Sequence, residues 1–316
     1  MPDIGRILCP VDFSQFSDRA LADAATLARW YGAELHGLHV VPALPTLWRV
    51  APTLGPHMPP GVSTGHVEVA LDTALRPAGA AGVHVVAEVR EGDPTRWILD
   101  YAAREGIDLI VMGTHGRGGV ERLVLGSVTE NVLRQSVCPV LTVCRGAKPD
   151  ADGPPFKRIL CALDFAPASG HGLAYAVSMT KEADAELTLL HVTEPYEEGW
   201  LHEHAPMSAQ EYRAFIEGQL KARLQNAVAP EVREWCRTED RLETGRPWEQ
   251  IVRVATDVDA QLIVMGQHVR SAADALLFGS TTHEVVRHAP CPVLTASAVT
   301  RPQWGLVGTE KAGVAG

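Results

Sequence analysis

Residues 109–143 read LIVMGTHGRGGVERLVLGSVTENVLRQSVCPVLTV, and residues 262–296 read LIVMGQHVRSAADALLFGSTTHEVVRHAPCPVLTA. The two stretches align without a gap. Each opens on an apolar, β-branched run, passes through a polar loop, continues with apolar residues at helical spacing and closes on a second apolar run. That is the order strand, loop, helix, strand. The beginnings of the halves repeat too: Arg6-Ile7-Leu8-Cys9 followed by Asp12-Phe13 returns as Arg158-Ile159-Leu160-Cys161 followed by Asp164-Phe165. A repeat this long is a duplicated domain rather than a solenoid unit.

Working outward from the repeat, strand-like runs at Ile4 to Val11, Leu35 to Val41, Val83 to Val89, Ile107 to Met112 and Val140 to Val143 alternate with helical stretches. The second half follows with Ile159 to Leu163, Leu187 to Val192, a strand near Arg241 to Leu242, Leu262 to Met265 and Val293 to Ala296. Strands alternating with helices argue for a parallel sheet covered on both faces. The stretch Ala20 to Trp30 places Leu21, Ala24, Ala25, Leu27 and Ala28 on one helix face, with Ser17 and Asp18 ahead of it as expected caps. Residues 146–155 have linker composition. The expected domains are therefore 1–146 and 156–300, with 301–316 a disordered tail.

Composition limits the function. A hydrophobic fraction of 46% suffices for two cores, and a formal net charge of -10 has the wrong sign for a phosphate-backbone binder. No run of 18 apolar residues occurs and the first residues carry no signal-peptide pattern. The expectation is a soluble, cytoplasmic protein with neither nucleic acid nor membrane as partner. Of the six cysteines, Cys9 matches Cys161 and Cys138 matches Cys291, all within apolar runs and none in a CxxC, as small core residues would be.

The chemistry concentrates in the first copy of the loop. Gly113, Gly116, Gly118, Gly119 and Gly126-Ser127 lie between a strand and a helix, where backbone amides and the positive helix end can converge on a phosphate. In this reading Gly113 permits a tight exit from the strand, Gly116 a close backbone approach, and Ser127 both a cap and a hydroxyl. Ordinary turn formation is the alternative use of such glycines. The second copy keeps Gly266 and Gly279-Ser280 but has Val269 at the Gly116 position, with Ser271 and Ala272 for Gly118 and Gly119. A β-branched residue is badly placed wherever the backbone needs φ > 0 or close approach.

The spacing G-x2-G-x9-G-[S/T], met by Gly113, Gly116, Gly126 and Ser127, resembles that of the universal stress protein family. So do Pro10-Val11-Asp12-Phe13-Ser14, the run from Val111 to Arg117, and Cys138-Pro139-Val140-Leu141. The resemblance spans nearly the whole chain, in a tandem two-domain form. It implies two doubly wound α/β domains, each a five-stranded parallel sheet in the order 3-2-1-4-5 and related by a pseudo-twofold axis. It also implies ATP binding, with Mg2+ as the accompanying cation. The expected ATP-binding residues are Pro10, Asp12, Val40 and Val41 at the adenosine, and Gly113, Gly116, Arg117, Gly126, Ser127 and Val128 at the phosphates. Asp164, Val192, Gly266, Gly279, Ser280 and Thr281 are the weaker second-half set.

In the order that the resemblance implies, the reversal falls between the first and fourth strands, and ligands of open α/β sheets sit at such a point. Asp12 then faces ribose hydroxyls or a cation, or else caps the following helix. His39 and His191, like His115 and His268, recur in both copies and read as hydrogen-bonded structure rather than catalytic bases. His202-Glu203-His204 lacks further ligands at metal-site spacing, and reads as solvated loop. The long connections Pro42 to Gly61 and Thr193 to Met207 read as lids, contact surfaces or mobile loops. The leading function is thus a stress-response, non-catalytic ATP binder. A slow hydrolase or phosphotransferase, and a ligand-free interaction module whose halves pair through Val140 to Val143 and Val293 to Ala296, are the alternatives. The same pairing makes the chain an intrachain pseudo-dimer, open to further association as a homodimer.

Overall fold

The structure, a computed structural model, describes residues 4–42, 64–114, 125–143, 154–194, 208–267 and 279–297. Strands β1 (Arg6–Pro10), β2 (Glu34–Val41), β3 (Val85–Glu91), β4 (Leu109–Gly113) and β5 (Val140–Val143) belong to the first half. The second half has β6 (Arg158–Ala162), β7 (Glu186–Thr193), β8 (Arg237–Thr244), β9 (Leu262–Gln267) and β10 (Val293–Ser297). Helices α1 (Gln15–Tyr31), α2 (Thr64–Ala80), α3 (Pro94–Arg104) and α4 (Ser127–Gln135) alternate with the first five strands. Helices α5 (Pro167–Ala183), α6 (Ala209–Gln225), α7 (Pro230–Trp235), α8 (Pro247–Asp257) and α9 (Ser280–His288) alternate with the rest.

The expected order holds in each half, and the halves are fused. All ten strands form one sheet in the order β3-β2-β1-β4-β5-β10-β9-β6-β7-β8. Pairing within a half is parallel throughout. At the junction β5 and β10 run antiparallel, with Leu141 opposite Leu294, Thr142 opposite Val293 and Val140 opposite Thr295. Because Val140, Leu141 and Thr142 are the repeat equivalents of Val293, Leu294 and Thr295, this register is its own image under a twofold rotation. The hydroxyl of Thr142 donates to the Val293 carbonyl at 3.2 Å, and that of Thr295 to the Val140 carbonyl at 3.3 Å. Each sheet edge thereby covers the other.

Strand periodicity sends alternate side chains to opposite faces. Ile7, Cys9 and Val11 join the layer beneath α1, α2 and α5, whereas Leu8, Leu38, Val40 and Ile110 join the layer with α3, α4, α8 and α9. Both apolar layers continue across the junction. Contacts between the halves also include half-buried Tyr31 on α1, whose hydroxyl hydrogen-bonds Glu182 on α5.

Local signals explain the helix ends. The sequence places caps of α1 at Ser17 and Asp18, but the helix begins earlier, at Gln15, because Ser14 is its N-cap and Ser17 the reciprocal member of a capping box. Gly32, at φ 64°, closes the helix in the left-handed conformation that glycine adopts without strain. Asp93 caps α3, accepting from the Arg96 amide at 2.8 Å, with Pro94 in the first turn. Among the described residues no helix is long and apolar enough to cross a membrane.

Candidate functional site

The carboxyl end of β1 is tied to that of β2 by two bonds. The Val11 amide donates to the Leu38 carbonyl at 2.8 Å, and His39 Nδ1 lies 2.6 Å from the Val11 carbonyl. Next in the chain, Asp12 Oδ1 accepts from the Ser14 amide at 3.0 Å, an Asx turn that leads into α1. The helix N-cap is Ser14, so Asp12 does not cap α1. Between them Phe13 takes φ 60°, a left-handed conformation that is strained for an aromatic residue, and its ring packs on His39 at a centroid distance of 4.6 Å. The histidine thus anchors the turn that presents Asp12. Beneath it, burial pushes the Cys9 thiol far up, reinforced by the charges of Asp23 and Asp12.

The carboxyl end of β4 is built differently. Gly113 is half-buried and is not among the glycines with positive φ. The expected tight exit from the strand is therefore not what this glycine provides. A Cβ there would lie 2.9 Å from the Phe16 carbonyl oxygen, so the missing side chain lets the first turn of α1 approach β4. The Gly113 carbonyl accepts from the Thr129 hydroxyl at 2.9 Å, and the Gly126 amide donates to the Thr114 carbonyl at 2.9 Å. These bonds bring the start of α4 beside the carboxyl ends of β1 and β4, where the strand order reverses. Gly126 is the N-cap, and no side-chain cap bond is made. Ser127 is exposed in the first turn, one position beyond the cap that the sequence suggests it to be.

The same frame recurs in the second half. His191 Nδ1 lies 2.7 Å from the Leu163 carbonyl, Phe165 takes φ 59°, and the two rings are 4.5 Å apart. Gly266 is packed harder than its counterpart, since a Cβ there would overlap the Ala168 carbonyl oxygen outright. Gly279 is the uncapped N-cap of α9, followed by exposed Ser280 and half-buried Thr281. Two further contacts are seen in this half. Asp164 accepts from both the Ala166 amide, at 2.9 Å, and the Ser169 hydroxyl. Arg223 of α6 stacks over the Phe165 ring with its guanidinium carbon 4.2 Å from the centroid.

Comparison with known proteins agrees with this geometry. The model of the universal stress protein family matches residues 4–143 and again 155–297. The chain belongs to the universal stress protein family. A universal stress protein of Mycolicibacterium smegmatis is 26% identical over 308 residues, covering 94% of this chain and 97% of that protein. One from Methanocaldococcus jannaschii is 34% identical over 150 residues, 45% of this chain and 84% of that protein. Among solved structures, a universal stress protein from Archaeoglobus fulgidus superposes with a TM-score of 0.66 at 24% identity, covering 92% of this chain and 98% of that one. That likeness supports the tandem fold.

In this universal stress protein, Pro10, Asp12, Val40, Val41, Gly113, Gly126, Ser127 and Val128 all lie at the carboxyl side of the first half's sheet. Asp164, Val192, Gly266, Gly279, Ser280 and Thr281 occupy the equivalent places of the second. Gly116 and Arg117 fall outside the described residues, as do His115, Gly118, Gly119, Val269, the cluster at 202–204, the connections 43–63 and 195–207, and the tail. Sequence reading misses Phe13, Thr129 and the difference between Ser14 and Ala166. The first two carry a signal, since Phe165 and Thr282 repeat them at equivalent positions.

Proposed function

We propose that the first half binds ATP in the crevice between β1 and β4 and that the protein acts as a cytoplasmic, nucleotide-responsive stress protein. The observation that carries this reading is the start of α4. Its first-turn amides make no side-chain cap bond, whereas α1 and α3 are closed by Ser14 and Asp93. Helix N-terminal amides without an N-cap side chain favour an anion, and this helix begins where the strand order reverses. Gly113, Gly116, Arg117, Gly126, Ser127 and Val128 would hold the phosphates. Pro10, Asp12, Val40 and Val41 would hold the adenosine, with Asp12 directed at ribose hydroxyls rather than at the phosphates, which would repel it.

Among the described residues no cluster of three or more His, Cys, Asp or Glu side chains could hold a metal ion, so Mg2+ would enter on the nucleotide. We assign the first domain to 1–146 and a second, structural or regulatory domain to 156–300, with Val269 in place of Gly116 weakening its set of Asp164, Val192, Gly266, Gly279, Ser280 and Thr281. The inferred role is binding rather than turnover. Calorimetric titration with ATP should give about one site per chain, the count expected if one of two repeat-related sites is intact. Gly116→Val, which copies the second half, should abolish binding; unchanged affinity in that variant defeats the site assignment. ADP release above a blank that falls on Asp12→Ala would replace binding by hydrolysis.

A further inference from the structure

The junction of β5 and β10 covers two sheet edges, and β3 and β8 stand at the ends of the ten-stranded order. An edge strand presents main-chain donors and acceptors to any second strand of matching pattern. On β3 the pattern is fixed. The Leu35 amide donates to the His84 carbonyl and the Gly92 amide to the Val41 carbonyl, both at 2.9 Å, so the even-numbered residues from 84 to 92 turn their main chain toward β2. Val85, Ala87, Val89 and Glu91 therefore turn theirs outward. The Glu91 carbonyl, on that outer side, accepts from Trp97 Nε1 at 2.9 Å. The two edges differ in charge. β8 is charged at five of its eight residues, Arg237, Glu239, Asp240, Arg241 and Glu243, a density that guards an edge. Arg233 of α7 holds Asp240 at 2.9 Å, and Arg253 of α8 holds Glu243 at 2.6 Å. β3 carries Glu88, Arg90 and Glu91 beside Val85, Val86, Ala87 and Val89. Glu88 and Arg90 lie on one face and pair within the strand. The Arg90 guanidinium stacks on Trp97, and its Nε has no hydrogen-bond partner among the described residues.

We propose that β3 is the surface through which two copies of this chain associate, the strands running antiparallel about a twofold axis at Val89. Antiparallel partners exchange both hydrogen bonds between outward-facing residues, so the axis falls on Ala87, Glu88 or Val89, the positions that keep most of those residues paired. Charge chooses among the three. An axis at Glu88 sets that carboxylate against its own copy, and an axis at Ala87 sets it against Val86. An axis at Val89 sets Glu88 of each copy opposite Arg90 of the other, at the more closely spaced, non-hydrogen-bonded positions where side chains meet best. The two cross-strand pairs and the two pairs within the strands then alternate around one ring of charge. The chain already joins its own halves by the same device, antiparallel pairing of equivalent strands about a twofold axis. The association is independent of nucleotide binding, since the crevice between β1 and β4 lies beyond β2 in the sheet.

The experiment is analytical ultracentrifugation of the full chain across a concentration series, with a thermal melt of each sample. The samples are wild type, Ala87→Pro, Glu88→Arg, Arg90→Glu, and an equal mixture of the two charge variants. The wild type should show a monomer–dimer equilibrium. Ala87→Pro removes an outward amide and no bond to β2, so it should abolish the dimer and leave the melt near that of wild type. Either charge variant alone turns two opposed pairs into two like-charge pairs and should dimerise about tenfold more weakly or worse. Mixed, the two chains set opposite charges against each other again and should form a heterodimer within about threefold of the wild-type constant. Recovery on mixing separates pairing at β3 from a damaged fold, because neither chain has been repaired. A wild type that stays monomeric leaves this edge to some other strand and overturns the proposal. A dimer that survives Ala87→Pro, or a mixture no stronger than its components, places the contact elsewhere and overturns it too.

Discussion

Leu141 and Leu294 face each other across the antiparallel junction of β5 and β10, and they are the same position of the two repeats. Both are buried. A pair lying on the pseudo-twofold axis contributes the same side chain from each half, so truncation from either side should cost the same. Leu141→Ala and Leu294→Ala should each lower unfolding free energy by about 2–5 kcal/mol, the range for emptying a packed core site. Urea denaturation checks this. The axis also predicts that the costs do not add, since the two side chains share one cavity.

The glycines that end β4 and β9 should respond differently to a methyl group. Gly113→Ala would bring its methyl to 2.9 Å from the Phe16 carbonyl oxygen, so the first turn of α1 must shift, whereas Gly266→Ala drives its methyl much further, into the Ala168 carbonyl oxygen. Overpacking of this kind costs about 1–3 kcal/mol. The loss should fall near the lower end for Gly113→Ala and at or above the upper end for Gly266→Ala. Equal thermal shifts would show that helix approach is not what these glycines permit.

These glycines mark where the sequence can be read and where it cannot. The ten strands follow from hydrophobic runs that recur twice, because periodicity and duplication are linear signals, whereas the strand order comes from the resemblance to the family and the junction between Val140 to Val143 and Val293 to Ala296 from the need to cover two sheet edges. The job of Gly113 is not linear. Its spacing to Gly116 suggests a turn, but the atom it must avoid belongs to Phe16 on another element. The start of α1 is hidden for a related reason. Ser14, Ser17 and Asp18 are all capping types, and only the reciprocal bond between Ser14 and Ser17 selects the start. Roles decided by a contact between distant segments, such as Phe13 on His39, leave a repeated letter and no indication of its use.

Asp23 should make stability depend on pH. It is buried on α1, and burial raises its carboxyl from the ordinary 3.8 to about 6 against the opposing charge and hydrogen bond of Arg19, 3.2 Å away. A folded-state value above the unfolded one means that stability is fully present below about pH 4 and is lost as pH rises through about 6. Asp23→Asn cannot ionise. Its stability relative to wild type should therefore rise between about pH 4 and pH 7 by at most about 3 kcal/mol, each tenfold change in proton affinity being worth about 1.4 kcal/mol. Parallel urea midpoints for both proteins across this range would remove Asp23 as a buried charge.

The core cysteines should be chemically silent in the native protein. Cys9, Cys138 and Cys161 are buried and free, and burial pushes all three thiols well above their ordinary value. Alkylation needs the thiolate and access to it. Iodoacetamide at about pH 8, close to the ordinary thiol value, should leave these three unmodified in folded protein and label them once urea is added, as peptide mass spectrometry would show. Labelling of Cys9 in the native state would mean that the floor beneath Asp12 opens to solvent.

Nucleotide binding at the first half must appear as stability with a defined residue dependence. A ligand that binds only the folded state stabilises it by about 2.7 kcal/mol at about one hundred times its dissociation constant. ATP should therefore raise the melting temperature of the wild type, and Asp12→Ala should lose that rise. Asp164→Ala should retain it, because the second half carries Val269 where the first has Gly116. The comparison is internal, since both aspartates follow the same strand of their repeat and precede a left-handed phenylalanine, Phe13 at φ 60° and Phe165 at φ 59°. Loss of the ATP-dependent shift in Asp164→Ala alone would move the site to the second half. Equal partial losses in both variants would mean that each half holds a nucleotide, and that Val269 does not close the second loop.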